Sequence, residues 1–258
     1  MNRNRRLVAV CGKGGAGKTA FIALAARVLL EDQQTKVLLI DADPTMGLPT
    51  ALGIKINRSV ADIREEIINT ARRGDREEKS QLANMIDYML LEALAEGRGF
   101  GLLSMGRQES TGCFCPVNEL LREAIEPLSQ SFDITLIDGE AGIEQLNRRV
   151  MKSVDTLVIV TDPTNRGLAA AGFIKDMVQN KKVIKCQRMG LVINRIRGQA
   201  DSFIDATNRL NIEVLGTVPD DQNITAYDSA NRPLTDLPPA APSVMAVKSI
   251  LKTLELIS

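Results

Sequence analysis

The sequence predicts an α/β fold, a doubly wound, mostly parallel sheet flanked by helices, in a chain of 258 residues. Two observations carry that expectation. Short apolar runs rich in Val, Ile and Leu recur at 7–11, 37–40, 101–103, 134–137, 156–160, 191–193 and 214–218, and such runs read as strands buried on both faces. Stretches of helical spacing lie between them, the alternation that parallel strands with crossover helices produce.

Taken in order, the strand at 7–11 leads through a glycine-rich loop into a helix at 19–30, and 37–40 follows as the second strand. Residues 57–100 are the least regular part and read as a helical insertion, with charge-dense 71–81 as a solvated loop and 85–94 as an apolar helix. Beyond the strand at 101–103, helices at 118–127, 143–150, 167–178 and 206–210 alternate with the remaining strands. A Pro-rich connection at 231–244 introduces a final helix at about 245–257, a composition typical of irregular linkers. One domain spanning 1–258 is expected, since α/β folds often reach this size.

Composition excludes several function classes. The 32 Lys and Arg balance 32 Asp and Glu, so no bulk charge points to nucleic acid or an anionic membrane. Aromatics are 3% and Trp is absent, which argues against a base-stacking platform. The basic start, Met1 to Arg6, precedes only a strand-length apolar run, too short for a signal-peptide core or a membrane span. The last helix has only Lys248 and Lys252 on its polar side and suits packing on the sheet better than a lipid surface. A cytoplasmic protein without membrane or nucleic-acid partners is expected.

The strongest chemical signal is "GKGGAGKT" at 12–19, which satisfies G-x-x-x-x-G-K-[ST] between a strand and a helix. Gly12, Gly14, Gly15 and Gly17, with Ala16 between, let backbone N–H groups turn toward phosphates. Lys18 is placed for the β/γ-phosphates and Thr19 for Mg²⁺, with Ala20 next on the helix where a second hydroxyl residue could stand. Asp138 ends the strand at 134–137, the Walker B position, where its carboxylate would hold Mg²⁺ through water. Gly142 follows as a candidate γ-phosphate sensor. Asp41 and Asp43, in "DADP", stand at another strand end, where ligands of open α/β sheets bind. In "LVINRIRG" the position that a guanine site needs as carboxylate is Arg197, so ATP is expected over GTP.

With Lys13 inside it, the loop resembles the deviant Walker A, G-K-G-G-x-G-K-[ST], of the MinD/ParA/nitrogenase iron protein class of P-loop ATPases. The resemblance implies a homodimer in which Lys13 reaches phosphates held by the partner, so that Lys13, Lys18 and Asp43 are the catalytic set. It makes Asp43 the switch I aspartate, positioning or deprotonating the attacking water near Mg²⁺. It also implies adenine contacts from Asn194 and from the loop at Pro219.

The chain has four cysteines and no histidine, and two of the cysteines, Cys113 and Cys115, form a C-x-C. Two thiolates cannot complete a tetrahedral site. A two-fold dimer would bring four of them together for Zn²⁺, Ni²⁺ or an iron–sulfur cluster; the other reading is two ordinary thiols at a helix start. The stretch 102–123, "LLSMGRQESTGCFCPVNELLRE", and "DGEAGIEQL" at 138–146 resemble the CooC/AcsF-type ATPases, which mature nickel-containing carbon monoxide dehydrogenase and acetyl-CoA synthase. That likeness implies an ATP-driven nickel-insertion factor with ATP/ADP, Mg²⁺ and Ni²⁺ or Zn²⁺, and a nickel enzyme as client. Pro116, just after the pair, is a departure that removes no ligand. Two alternatives stand beside it, an iron–sulfur reductase component and a MinD/ParA-like positioning ATPase.

Overall fold

The computed structural model describes residues 5–107, 115–139, 150–198, 207 and 210–258. The strands are β1 (Arg6–Cys11), β2 (Val37–Asp41), β3 (Ala95–Glu96), β4 (Phe100–Ser104), β5 (Ile134–Asp138), β6 (Ser153–Thr161), β7 (Lys185–Ile196) and β8 (Glu213–Pro219). They form one sheet in the order β3-β4-β2-β5-β1-β6-β7-β8. Pairing is parallel throughout except for β3 against β4. This is the mostly parallel sheet that the apolar runs predict.

The described helices are α1 (Lys18–Leu29), α2 (Gly47–Leu52), α3 (Val60–Arg73), α4 (Arg76–Ala93), α5 (Cys115–Ser129), α6 (Asn165–Gln179), α7 (Gln222–Ser229) and α8 (Pro242–Thr253). Strand residues alternate between two cores because successive side chains point to opposite faces. Val8 and Val10 join α1 and α8 on one face, while Ala9 and Cys11 join α3, α4, α5 and α6 on the other. Both sets are apolar, so the strands read as unbroken hydrophobic runs. Among the described residues no helix is long and apolar enough to cross a membrane.

The structure corrects several boundaries. Residues 71–81 are not a solvated loop: α3 runs to Arg73, Gly74 follows as its C-cap, and Asp75 caps α4. The charge density there is helix-end chemistry, with Arg72 and Arg73 closing one helix and Asp75, Glu77 and Glu78 opening the next. The last helix begins earlier than 245, with Pro242 in its first turn, and ends at Thr253; proline is favoured there because its missing N–H would have had no partner. β7 extends well beyond 191–193, since polar positions from Lys185 onward pair with β6. The short elements β3, α2 and α7 lack enough periods to announce themselves. The expected helix at 143–150 lies outside the described residues apart from its last position, and that at 206–210 apart from 207 and 210.

Parallel pairing brings the strand ends into one line. Val10 and Asp41 are both register partners of Asp138, so the loops after β1, β2 and β5 leave the sheet side by side at its carboxyl edge.

Candidate functional site

At Gly12, Gly15 and Gly17 the loop adopts contacts or dihedrals that a side chain would obstruct. Gly12 has φ +145, and a Cβ there would lie 2.0 Å from the Val160 carbonyl oxygen of β6. Gly15 and Gly17 adopt φ of +77 and +89, conformations costly for any residue with a side chain. The Ala16 N–H donates to the Lys13 carbonyl at 3.1 Å and closes the turn. Gly17 is the N-cap of α1 and offers no side-chain cap, and no acidic residue stands in the first turn. The positive end of α1 is thus directed into a loop of backbone donors, an anion-binding arrangement.

Three carboxylates, Asp41, Asp43 and Asp138, stand at or just after the ends of β2 and β5, beside this loop. Asp138 is 1% exposed; its Oδ2 accepts a hydrogen bond from Thr19 Oγ1 at 2.7 Å. Its Oδ1 is buried with no partner among the described residues. A buried carboxylate oxygen lacking a donor is costly, and beside a threonine hydroxyl it is a donor set that suits hydrated Mg²⁺. These residues fit that ion, which when bound would offset the negative charge of the phosphates.

Burial pushes the Asp138 carboxyl up to about 6, although the Thr19 bond and the Lys18 ammonium pull it back. Burial and the neighbouring Asp138 push Asp41 up to about 7. Asp41 is a structural acceptor rather than a capping residue alone: its oxygens take the N–H groups of Asp43 at 3.0 Å and Leu48 at 3.2 Å. It therefore shapes the turn that carries Asp43. Asp43 Oδ1 in turn accepts from Thr45 N at 2.9 Å and Oγ1 at 2.7 Å, while its Oδ2 takes no hydrogen bond from the described residues. Gly47, at the start of α2, lies so near Thr19 that a Cβ there would touch the Thr19 methyl at 3.7 Å, so this turn lies over the same end of α1.

Lys18 is 8% exposed, on the first turn of α1. Lys13 is turned back onto its own chain, with Nζ 3.0 Å from Asp162 Oδ2. Asp162 directly follows β6 and also accepts from Thr164 Oγ1 at 2.6 Å. Burial opposes ionisation, yet the bonds from Thr164 and Lys13 hold the Asp162 carboxyl below its ordinary range.

Residues 7–234 match the family described as the CobQ/CobB/MinD/ParA nucleotide binding domain. The chain belongs to that family. It is a P-loop ATPase of the CobQ/CobB/MinD/ParA kind, with the sheet and phosphate loop described above. An uncharacterised ATP-binding protein of Methanocaldococcus jannaschii is 36% identical over 236 residues, 90% of this chain and 91% of its own. The carbon monoxide dehydrogenase accessory protein CooC of Rhodospirillum rubrum is 31% identical over 242 residues, 90% of each chain. The solved structure of the MinD cell division protein of Aquifex aeolicus superposes with a TM-score of 0.69 over 98% of both chains at 19% identity, a likeness of fold.

Within this family member, the expected base-side residues also gather at the carboxyl edge. Asn194, 7% exposed, donates from Nδ2 to the Ala16 carbonyl at 2.8 Å, and its Oδ1 accepts from Arg195 N at 2.9 Å. It braces the phosphate loop from below. Pro219 pairs in register with Ile196, close after Asn194. Ala20 lies half-buried on α1 against the core. Gly14 has open space around it. Gly142 and Cys113 lie outside the described residues, and Cys115 is the first residue of α5. Cys11 is buried in β1, and burial pushes its thiol up to about 12, so it stays protonated and inert.

Asp162 is the residue that sequence reasoning missed. Its signal was available: it follows the strand read at 156–160, at a carboxyl end like Asp41 and Asp138.

Proposed function

We propose that this chain is an ATP-hydrolysing metal-insertion factor for a nickel enzyme, carbon monoxide dehydrogenase or acetyl-CoA synthase. Two protomers would hold Ni²⁺ or Zn²⁺ as cargo on Cys113 and Cys115 of each. One observation carries this reading: a protein named as a carbon monoxide dehydrogenase accessory factor aligns over 90% of both chains, and this chain carries a C-x-C whose second cysteine, Cys115, is the first residue of α5.

In the ATPase step, water attacks the γ-phosphorus and the bond to the ADP oxygen breaks. Backbone N–H groups of the glycine loop and the start of α1 hold the phosphates. Lys18 stabilises charge on the transferred phosphoryl group, and Lys13 does so from the partner after leaving Asp162. Asp43 orients the water through its Oδ2, fixed in angle because Thr45 occupies Oδ1. Asp138 and Thr19 would hold Mg²⁺, which would offset the charge of the phosphates. Nucleotide state then sets the protomer arrangement, and with it the completeness of a metal site that one chain cannot complete.

Ni²⁺ titration and native mass with ADP or ATP, for wild type beside Cys113→Ala/Cys115→Ala, test this. The expected result is about one metal per two protomers in wild type and no tight binding in the double variant. Unchanged nickel binding and dimer mass in the variant would remove the proposal. A brown protein with stoichiometric iron and sulfide after anaerobic purification would shift it to the reductase reading, and ATP-dependent co-sedimentation with liposomes or DNA to the positioning reading.

A further inference from the structure

Arg64 sits on the second turn of α3 with its side chain 3% exposed. A buried charge is costly and persists where its geometry is well satisfied. Its Nε donates to Asn118 Oδ1 at 3.0 Å, and its Nη1 reaches Glu65 Oε1 at 3.0 Å. Asn118 stands in the first turn of α5, the helix that Cys115 begins. Apolar packing alone would hold α3 against α5; the directional bond fixes one orientation of the two.

The start of α3 is tied to the nucleotide site. The Asp41 carbonyl accepts from Met105 N at 2.8 Å, and the Met105 carbonyl accepts from Ala61 N at 3.0 Å. The next residue, Gly106, has φ +69 and is so close to α3 that a Cβ would lie 2.4 Å from Ser59 Oγ. Ser59 is the N-cap of α3, locked in a capping box with Asp62. Asp41 thus has two grips: its carboxylate shapes the turn bearing Asp43, and its carbonyl holds the chain that clamps α3. A cavity of about 20 Å³, walled in part by Ala61, Arg64, Met105, Gly106 and Asn118, lies where these links cross, room for roughly one water molecule.

We propose that Arg64 is the positioning residue that carries nucleotide state from the Asp41 turn through α3 to the head of α5. Metal affinity at Cys113 and Cys115 then follows nucleotide state; this last step rests on the metal-handling reading above. The physical warrant is a continuous set of directional contacts that ends in the bond from Arg64 to Asn118.

Two measurements on the full-length protein test it, in wild type, Arg64→Met, Arg64→Lys and Asn118→Ala. Amide hydrogen exchange of α5 is compared with ADP and with a non-hydrolysable ATP analogue, and Ni²⁺ alone is titrated in both states. Wild type should show nucleotide-dependent exchange in α5 and a Ni²⁺ affinity ratio between states of about tenfold or more. Arg64→Met and Asn118→Ala should bring both differences close to zero while basal ATP turnover stays within about twofold, and Arg64→Lys should restore part of each. Asn118→Ala alters a half-buried surface position and keeps the test available if the buried substitution unfolds the protein. The proposal falls if wild-type α5 exchanges alike in both states, or if either folded variant retains the wild-type difference. Nucleotide-dependent exchange in α5 without nickel binding would leave Arg64 in its role and remove the metal reading alone.

Discussion

Asp138→Asn is expected to hydrolyse ATP at least about a hundredfold more slowly than wild type and, without nucleotide, to melt higher near neutral pH. Loss of the charged ligand accounts for the first effect. The second follows from where the carboxylate lies. Its folded-state pKa is about 6 against an ordinary 3.8, so between those values the native chain holds a proton that the unfolded chain releases. Stability therefore falls as pH rises, fully present below the lower value and lost through the upper one. Asp41, raised to about 7, extends the window upward. The charged form of Asp138 costs on the order of 1–3 kcal/mol at neutral pH, and an asparagine, which can still accept from Thr19, removes that cost. Thermal melts from about pH 4.5 to 8 should show wild type losing roughly 2–8 °C across the window, less in the variant. Mg-ATP should raise wild type more than the variant, which keeps the loop and Lys18 but lacks the charged carboxylate. A flat wild-type profile, or a variant that melts lower near neutrality, would contradict the account.

Gly12→Ala and Gly17→Ala should fail for different reasons and by different amounts. At Gly12 the new methyl meets a backbone carbonyl of β6 at 2.0 Å, which no side-chain rotation relieves. A loss of about 3–5 kcal/mol, with nucleotide binding abolished, is expected. At Gly17 the obstacle is Asn194 Nδ2, 2.3 Å away, a side chain that can swing aside by giving up its bond to the Ala16 carbonyl. That costs about 1–3 kcal/mol including the backbone strain at φ +89. Asn194→Ala alone should destabilise, yet in the Gly17→Ala background it should recover part of the loss, a reversal of sign that a double-mutant cycle reads directly. The same substitution should do nothing for Gly12→Ala. Denaturant unfolding with nucleotide titration measures all of these. Normal ATP binding by Gly12→Ala would show that the loop tolerates what its geometry forbids, and no rescue at Gly17 would show that Asn194 is not the obstacle there.

Legibility tracked how locally each feature is encoded. The parallel strands were visible because both faces of β1, β2, β5 and β6 are apolar, leaving continuous runs. β7 was underestimated because its first half, from Lys185, alternates exposed and half-buried positions toward the sheet margin. The phosphate loop and Asp138 were legible from contiguous motifs beside strands. Contacts made by topology were not: Lys13 meets Asp162 across 149 positions, Asn194 meets Ala16 across 178, and Arg64 meets Asn118 across 54. No local pattern announces such partners, and charge at 71–81 misled for the opposite reason, since helix caps and solvated loops draw on the same residues.

The Lys13–Asp162 contact has a further meaning for assembly. A lysine that is to reach a partner's phosphates must first leave a carboxylate of its own chain, so a pair that Lys13 formed between protomers would replace one within a protomer. If two protomers pair as proposed, the tally of pairs is conserved, and dimer formation should respond only weakly to ionic strength. The pair is partly exposed, at 35% and 20%, and is worth about 0–1 kcal/mol. On that reading Asp162 is a reference anion carried by each protomer: an incoming ligand draws Lys13 away only by offering more negative charge than a single carboxylate.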